Sequence, residues 1–173
     1  MKKIISLIII FLFISLNFSF SFQQNPEPGD IGSGGREDDS FMKNPKNSNF
    51  KKGKDRLKQG LKLKKKEQNT KANKYFEMAL KFFVLSYKET PENIEVLNYL
   101  GFTYNVLEDY LMSEIYYQEA LVLNPKNPII NQKLGELYFN TKRISLAKER
   151  LNVLSSCNCE EYSNLKNIIA SAK

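Results

Sequence analysis

The sequence predicts an all-α fold, a short helical solenoid of about seven helices in two to three stacked units with a terminal capping helix. Three observations predict it. Pro91-Glu-Asn93 is followed by Leu100-Gly101 and Tyr104, and 34 residues on, Pro125-Lys-Asn127 is followed by Leu134-Gly135 and Tyr138. A fixed period of this length marks stacked helical hairpins. Apolar residues recur between those marks at three- and four-residue spacing, which gives each helix a buried stripe. Small residues stand among them, where two helices can cross closely because no bulk separates them.

In chain order, residues 50–66 supply the first helix, with a sparse stripe of Phe50, Leu57, Gly60 and Leu61. Residues 71–89 carry Tyr75, Phe76, Met78, Ala79, Leu80, Phe82, Phe83, Val84, Leu85 and Tyr87. A helix so apolar around its circumference needs cover on several sides. Ile94 opens the next unit, with Leu97, Leu100, Gly101 and Tyr104, then Tyr110, Ser113, Tyr117 and Ala120. Pro125 ends that unit because proline cannot continue a helix. Pro128 opens the following unit, with Leu134, Gly135, Tyr138, Ile144, Ala147, Leu151 and Leu154. Residues 160–172 read as a last amphipathic helix whose Tyr162, Leu165, Ile168, Ile169 and Ala172 share one face and cover the open edge of the stack. Glu160-Glu161 open it, where negative charge suits a helix N-terminus.

These marks resemble the tetratricopeptide repeat (TPR), a helix–turn–helix unit. Its loose consensus has Leu-Gly at the seventh and eighth positions and Tyr at the eleventh. Small residues follow at the twentieth and twenty-seventh, an aromatic at the twenty-fourth and Pro near the end. The resemblance is closest over residues 91–125 and continues over 126–158. There Asn131 takes a place usually held by a large apolar residue, and Cys159 falls where Pro would close the repeat. Over residues 50–90, Ala79 and Phe83 fit the twentieth and twenty-fourth positions of a unit ending at Pro91. Gly60 is the natural eighth residue, but it stands 19 residues before Ala79, against about 12 in the consensus. The first hairpin is therefore expected to be about two turns longer than standard.

The resemblance implies a right-handed superhelix, with the first helix of each repeat lining a concave groove that holds a peptide or a partner protein. Carried over position by position, the groove residues are Glu95, Asn98, Tyr99, Phe102, Asn105 and Val106, then Ile129, Gln132, Lys133, Glu136, Phe139 and Asn140. Aromatics there would supply contact area, and amides would pair with a peptide backbone. Lys133 is the only cation of this set, and Glu95 and Glu136 oppose it. A clamp on a C-terminal carboxylate is thus disfavoured, and a neutral or basic ligand is expected.

Cys157-Asn158-Cys159 leaves three outcomes open: a disulfide between residues two apart, an intermolecular bridge, or thiols packed under the cap. We expect a structural oxidised pair. The run Cys159-Glu160-Glu161-Tyr162 also resembles the tail of small exported bacterial TPR proteins, which implies cysteines pinning the solenoid to its cap helix.

The net charge of +7 is unevenly spread. Lys51 to Lys66 holds nine bases and one acid, for a net +8; Glu89 to Pro125 holds seven acids and no base, for a net −7; Lys126 to Arg150 is net +4. The basic helix reads as a solvated outer face, as contact with an anionic membrane surface, or as attraction to the acidic repeat of another copy or to an acidic partner. A homo-oligomer follows from the third reading. Nucleic acid is not expected, since no recognition-helix pattern, zinc knuckle or strand-borne aromatic platform accompanies the lysines.

Met1-Lys2-Lys3 followed by Ile4 through Leu16, with Ser6 and Ser15 alone polar, has the layout of a signal peptide over residues 1–21, cut before Phe22 after Ser19-Phe-Ser21. The alternative is an uncleaved inner-membrane anchor over residues 4–22. Residues 22–49 hold few apolar side chains and are expected to be a disordered linker, leaving one domain over 50–173. Export to the periplasm or cell envelope follows. The chain has no histidine, which removes the commonest general base and most zinc sites. Gly32-Ser-Gly-Gly35 lacks the Gly-Lys-Ser/Thr ending of a phosphate loop. No catalytic residue, metal or cofactor is expected. The reading is a non-catalytic interaction module, the alternative a self-assembling or membrane-surface envelope protein.

Overall fold

A computed structural model of the protein describes residues 45–171. The signal or anchor segment, the expected linker up to residue 44, and Ala172 of the cap stripe lie outside the described residues. Seven helices and no strand occur among those described: α1 (Pro45–Lys64), α2 (Asn69–Glu89), α3 (Ile94–Val106), α4 (Tyr110–Leu123), α5 (Pro128–Asn140), α6 (Ile144–Leu154) and α7 (Glu160–Ala170). They pair as hairpins α1–α2, α3–α4 and α5–α6, each hairpin packs on the next, and α7 lies against α5 and α6. The result is a short right-handed helical solenoid.

The local chemistry repeats with the fold. Asn93, Asp109 and Asn127 cap α3, α4 and α5 by accepting hydrogen bonds from the freed backbone amides of the first turn. Each hairpin turns through one residue of positive φ: Glu67 (57°), Glu108 (65°) and Lys142 (64°). The amide after each of them donates back across five residues, Gln68 to Leu63 O, Asp109 to Tyr104 O and Arg143 to Tyr138 O, at 3.1, 3.0 and 2.7 Å. This left-handed termination satisfies carbonyls that a helix end would leave unpaired. The Glu108-Asp109 pair thus has two structural roles, one residue turning the chain and the next capping α4.

The first hairpin is the long one. α1 and α2 have 20 and 21 residues, against 13 and 14 in α3 and α4, seven more in each helix. Seven residues are close to two full turns, so the buried faces stay in phase. α2 buries Ala72, Phe76, Ala79, Phe83 and Ser86 in one stripe. Two glycines of α1 lie under it, Gly53 against the Phe83 ring and Gly60 against the Phe76 ring and the Ala72 carbonyl. Gly60 therefore pairs with Ala72 and Phe76, not with Ala79 as the sequence alignment assumed. α1 also begins at Pro45, inside the stretch assigned to the linker. Proline suits a helix's first turn; Phe50 packs on Phe83 and Tyr99, and Asn49 Nδ2 donates to Glu89 Oε1 at 2.7 Å.

The core runs in two clusters joined through α3. Val96 and Leu100 face Leu57, Phe76, Ala79 and Phe83, while Leu97 faces Tyr117, Ala120, Ile130, Leu134 and Leu137. Gly101 lets the Tyr117 ring cross the α3 backbone. A polar lock joins the second and third hairpins: Arg143 pairs with Glu114 at 2.6 Å, Tyr138 Oη donates to Glu114 Oε1 at 3.0 Å, and the guanidinium sits 4.6 Å from the Tyr138 ring centre. Burial is the main cause that raises the Tyr138 phenol. Burial, then Tyr104, Tyr87 and Glu119 beside it, pushes Tyr116 up to about 12.

Asn131 is fully buried for a reason. Its Nδ2 donates to Pro125 O at 3.0 Å and to Asn127 O at 2.9 Å, tying down the connection between the second and third hairpins. Asn131→Leu leaves the Pro125 carbonyl without this donor, and the expected loss is about 1–3 kcal/mol of unfolding free energy. Urea titration followed by circular dichroism measures it; a gain would mean that apolar volume outweighs the loop bonds at this position.

Leu165 of α7 is buried over Gly135 and closes the stack, a contact the repeat pattern would give to Leu151. Cys157 and Cys159 are disulfide-bonded to each other in the α6–α7 connection, with Cα atoms 5.2 Å apart. The bridge joins residues two apart in one loop, so burial of Leu165 and packing of Ile169 on the core, not the bridge, hold α7 to the body.

Candidate interaction groove

The first helices of the hairpins, α1, α3 and α5, lie side by side: Phe50 of α1 meets Tyr99 of α3 edge-on at 5.3 Å, and α3 touches α5. Tyr99 lies tilted on Phe83 at 5.2 Å. It is half-buried, as is Phe102, and both pack on the first core cluster. Asn98 and Asn105 are partly exposed on the same helix, and Glu95 is exposed at its start.

On α5 the polar residues are committed to one another. Gln132 Nε2 donates to Glu136 Oε1 at 2.6 Å, and Lys133 Nζ pairs with Glu136 Oε2 at 3.0 Å. The one cation of the predicted set is thus neutralised by its neighbour one turn on, and a carboxylate anchored on Lys133 would have to displace Glu136. Phe139 packs on the second core cluster, Ile129 is exposed, and Asn140 is exposed at the helix end.

The structure does not gather all these residues at one place. Glu95 borders a shallow hollow with Thr90, Pro91, Glu92, Asn93 and Ile94. Val106 borders another, with Lys64, Asn69 and Asn73, near the hairpin turns. Tyr99 alone of the predicted set lines the cleft between α1 and α3, a space of about 590 Å³. The half-buried Leu61 and Tyr99 supply its apolar surface over the buried Leu57, and Lys54, Lys58, Lys62 and Lys65 with Asp55 surround it. Its volume does not single it out, since the hollow beside Glu95 measures about 680 Å³; its lining does.

Sequence reasoning missed the α1 wall of this cleft, although the signal was present. With Gly60 as the eighth residue of a repeat, Lys54, Leu57, Lys58, Leu61 and Lys65 fall at the second, fifth, sixth, ninth and thirteenth positions. Those are the positions that gave the groove residues of α3 and α5. The expectation of a neutral or basic ligand drew on α3 and α5 alone; four lysines and one aspartate surround the cleft against α1.

Among the described residues, no group of three or more Cys, Asp or Glu side chains could hold a metal ion. No helix among them is long and apolar enough to cross a membrane.

No protein-family model matches the chain, and no curated protein matches it. Solved structures do. The second TPR domain of human RPAP3, in complex with the HSP70 peptide SGPTIEEVD, superposes with a TM-score of 0.53 at 15% identity, covering 72% of this chain and 98% of that one. The TPR domain of Arabidopsis OM64 gives 0.51 at 14%, covering 71% and 98%. The first TPR domain of human RPAP3 gives 0.51 at 18%, covering 69% and 94%.

Proposed function

We propose that this chain, a solenoid of the tetratricopeptide type, is a non-catalytic protein-interaction module of the periplasm or cell envelope that holds a segment of a partner protein along α1, α3 and α5. The observation that carries this reading is the α1–α3 cleft. Its partly exposed apolar side chains, Leu61 and Tyr99, are left open among the described residues beside the half-buried Phe102, and such surface at the centre of a polar rim is what a partner's anchor side chain occupies. Binding of a peptide by the second RPAP3 domain supports the use of this fold for that purpose. The absence of histidine, and the commitment of Asp109 to a cap and of Glu114 and Glu136 to ion pairs, support a role without catalysis. The basic start and apolar run of residues 1–16 support export.

Affinity purification from the native envelope fraction, with mass spectrometry of what co-purifies, identifies the partner. The double variant Tyr99→Ala/Phe102→Ala is expected to lower capture of that partner at least about tenfold. Its far-ultraviolet dichroism should match the parent protein. Retained capture would overturn the groove assignment. N-terminal sequencing of the protein from that fraction is expected to begin at Phe22; recovery of the intact chain from the soluble cytosol would overturn export.

A second reading, self-assembly, draws on α4. Leu111 and Val122 are 70% and 80% exposed along that helix, with Ile115 at 43% between them, in the most acidic part of the chain. Size-exclusion chromatography at low and high salt separates the two readings: a monomer at every salt concentration leaves the groove.

A further inference from the structure

We infer that the α1–α3 cleft takes an acidic, extended segment from within a partner chain, held by the lysine row of α1 and not by capture of the partner's C-terminal carboxylate. The inference deepens the interaction-module reading and rests on it.

Four lysines line the cleft, and they are not equivalent. Lys54 is occupied: its Nζ lies 3.7 Å from Glu95 Oε1 on α3 and 4.5 Å from the Phe50 ring centre. Lys58, Lys62 and Lys65 are exposed and form no ion pair among the described residues. Asp55 is the only acid in the lining. Like charges on successive turns of one helix repel and raise the local potential, which an anionic ligand relieves.

The spacing favours an extended chain. Lysines four residues apart on a helix are separated by about 6 Å along its axis. Alternate side chains of an extended strand point to one side at intervals of about 6.6 Å. Acidic residues at every second position of the segment therefore keep step with Lys58 and Lys62. An apolar side chain next to them meets Leu61 and Tyr99. A lipid surface fits less well, because these lysines surround a recess with an apolar floor instead of standing out from a flat face. The α5 side offers no cation for a chain end, since Lys133 is paired with Glu136.

The test uses a fluorescein-labelled peptide of alternating Glu and Ser with one central Phe and an amidated C-terminus, titrated with the intact protein at low and high salt. Binding is expected at low salt and should weaken about tenfold or more at high salt. The Gln-for-Glu peptide should bind at least about tenfold more weakly than the acidic one. Lys58→Glu/Lys62→Glu/Lys65→Glu should lose about tenfold or more, with unchanged helicity because all three side chains are exposed. A free C-terminus should leave the affinity unchanged.

Equal binding of the acidic and Gln peptides, an unaffected triple variant, a requirement for the free carboxylate, or binding confined to phosphatidylglycerol vesicles would each overturn the inference. If the acidic peptide fails while Tyr99→Ala/Phe102→Ala still abolishes capture of the native partner, only the acidic ligand class falls. If both fail, the interaction groove falls with it.

Discussion

Phe83→Ala is expected to lower the unfolding free energy by about 3–5 kcal/mol, a large part of what a domain of this size holds. The ring has no exposed surface and lies directly over the backbone of Gly53. Phe50 packs on it at 5.8 Å and Tyr99 at 5.2 Å. Truncation leaves a void that Gly53 cannot fill, because it has no side chain to move in. It also removes the surface on which Tyr99 rests, so the wall of the cleft loosens with the core. Urea denaturation gives the stability, and a partner or peptide titration gives the linked loss of binding. A cost below about 1 kcal/mol would mean that the first hairpin does not hold this register. A companion variant checks the geometry. Gly53→Ala alone should destabilise, since a methyl there would meet the Phe83 ring at 2.5 Å, but in the Phe83→Ala background the same methyl enters the void and the sign reverses.

Gly101→Ala is expected to be destabilising, against the local rule. In an open helix this change gains about 1 kcal/mol, because alanine orders more readily than glycine. Here a methyl group would lie 2.6 Å from Cε1 of Tyr117, whose buried ring belongs to the second core cluster and has little room to withdraw. Overpacking of this kind costs about 1–3 kcal/mol, so the net effect is a loss, and Gly101→Val should be worse. Gly135→Ala is the control. Its nearest neighbour is Cδ2 of Leu165, the movable end of a side chain on the cap helix. The effect there should be smaller and should appear first as local opening of α7, read by amide hydrogen exchange. Equal costs at the two glycines would show that helix crossing distance is not what sets them.

Much of this architecture could be read without coordinates because its determinants are local. Leu100-Gly101, Tyr104, Tyr117 and Ala120 all lie within one hairpin, and the spacing that joins them is fixed by helix geometry. The first hairpin was only half legible. Its length was anticipated from the separation of Gly60 and Ala79, but the pairing was not. Ala72 stands at the consensus separation of 12 from Gly60, but the seven-residue extension of each helix repeats the small–aromatic pair two turns on as Ala79–Phe83, and its fit to a unit ending at Pro91 drew the alignment there. Asn131 departs in sequence from the large apolar residue usual at its place. Its value lies in the Pro125 carbonyl, six residues away around a loop.

The sequence by itself determined the repeat, the order of the helices and the segregation of charge, because each follows from residue type and spacing along the chain. Only the tertiary structure decided where that charge is presented. Whether the lysines of α1 point to solvent or surround a cleft depends on the rotation of α1 about its own axis. That rotation is set by two distant rings, Phe76 and Phe83, seated on Gly60 and Gly53. The same seating buries Leu57 in the core, leaves Leu61 beside Tyr99, and makes a recess with a basic rim out of a helix whose sequence reads as mostly polar.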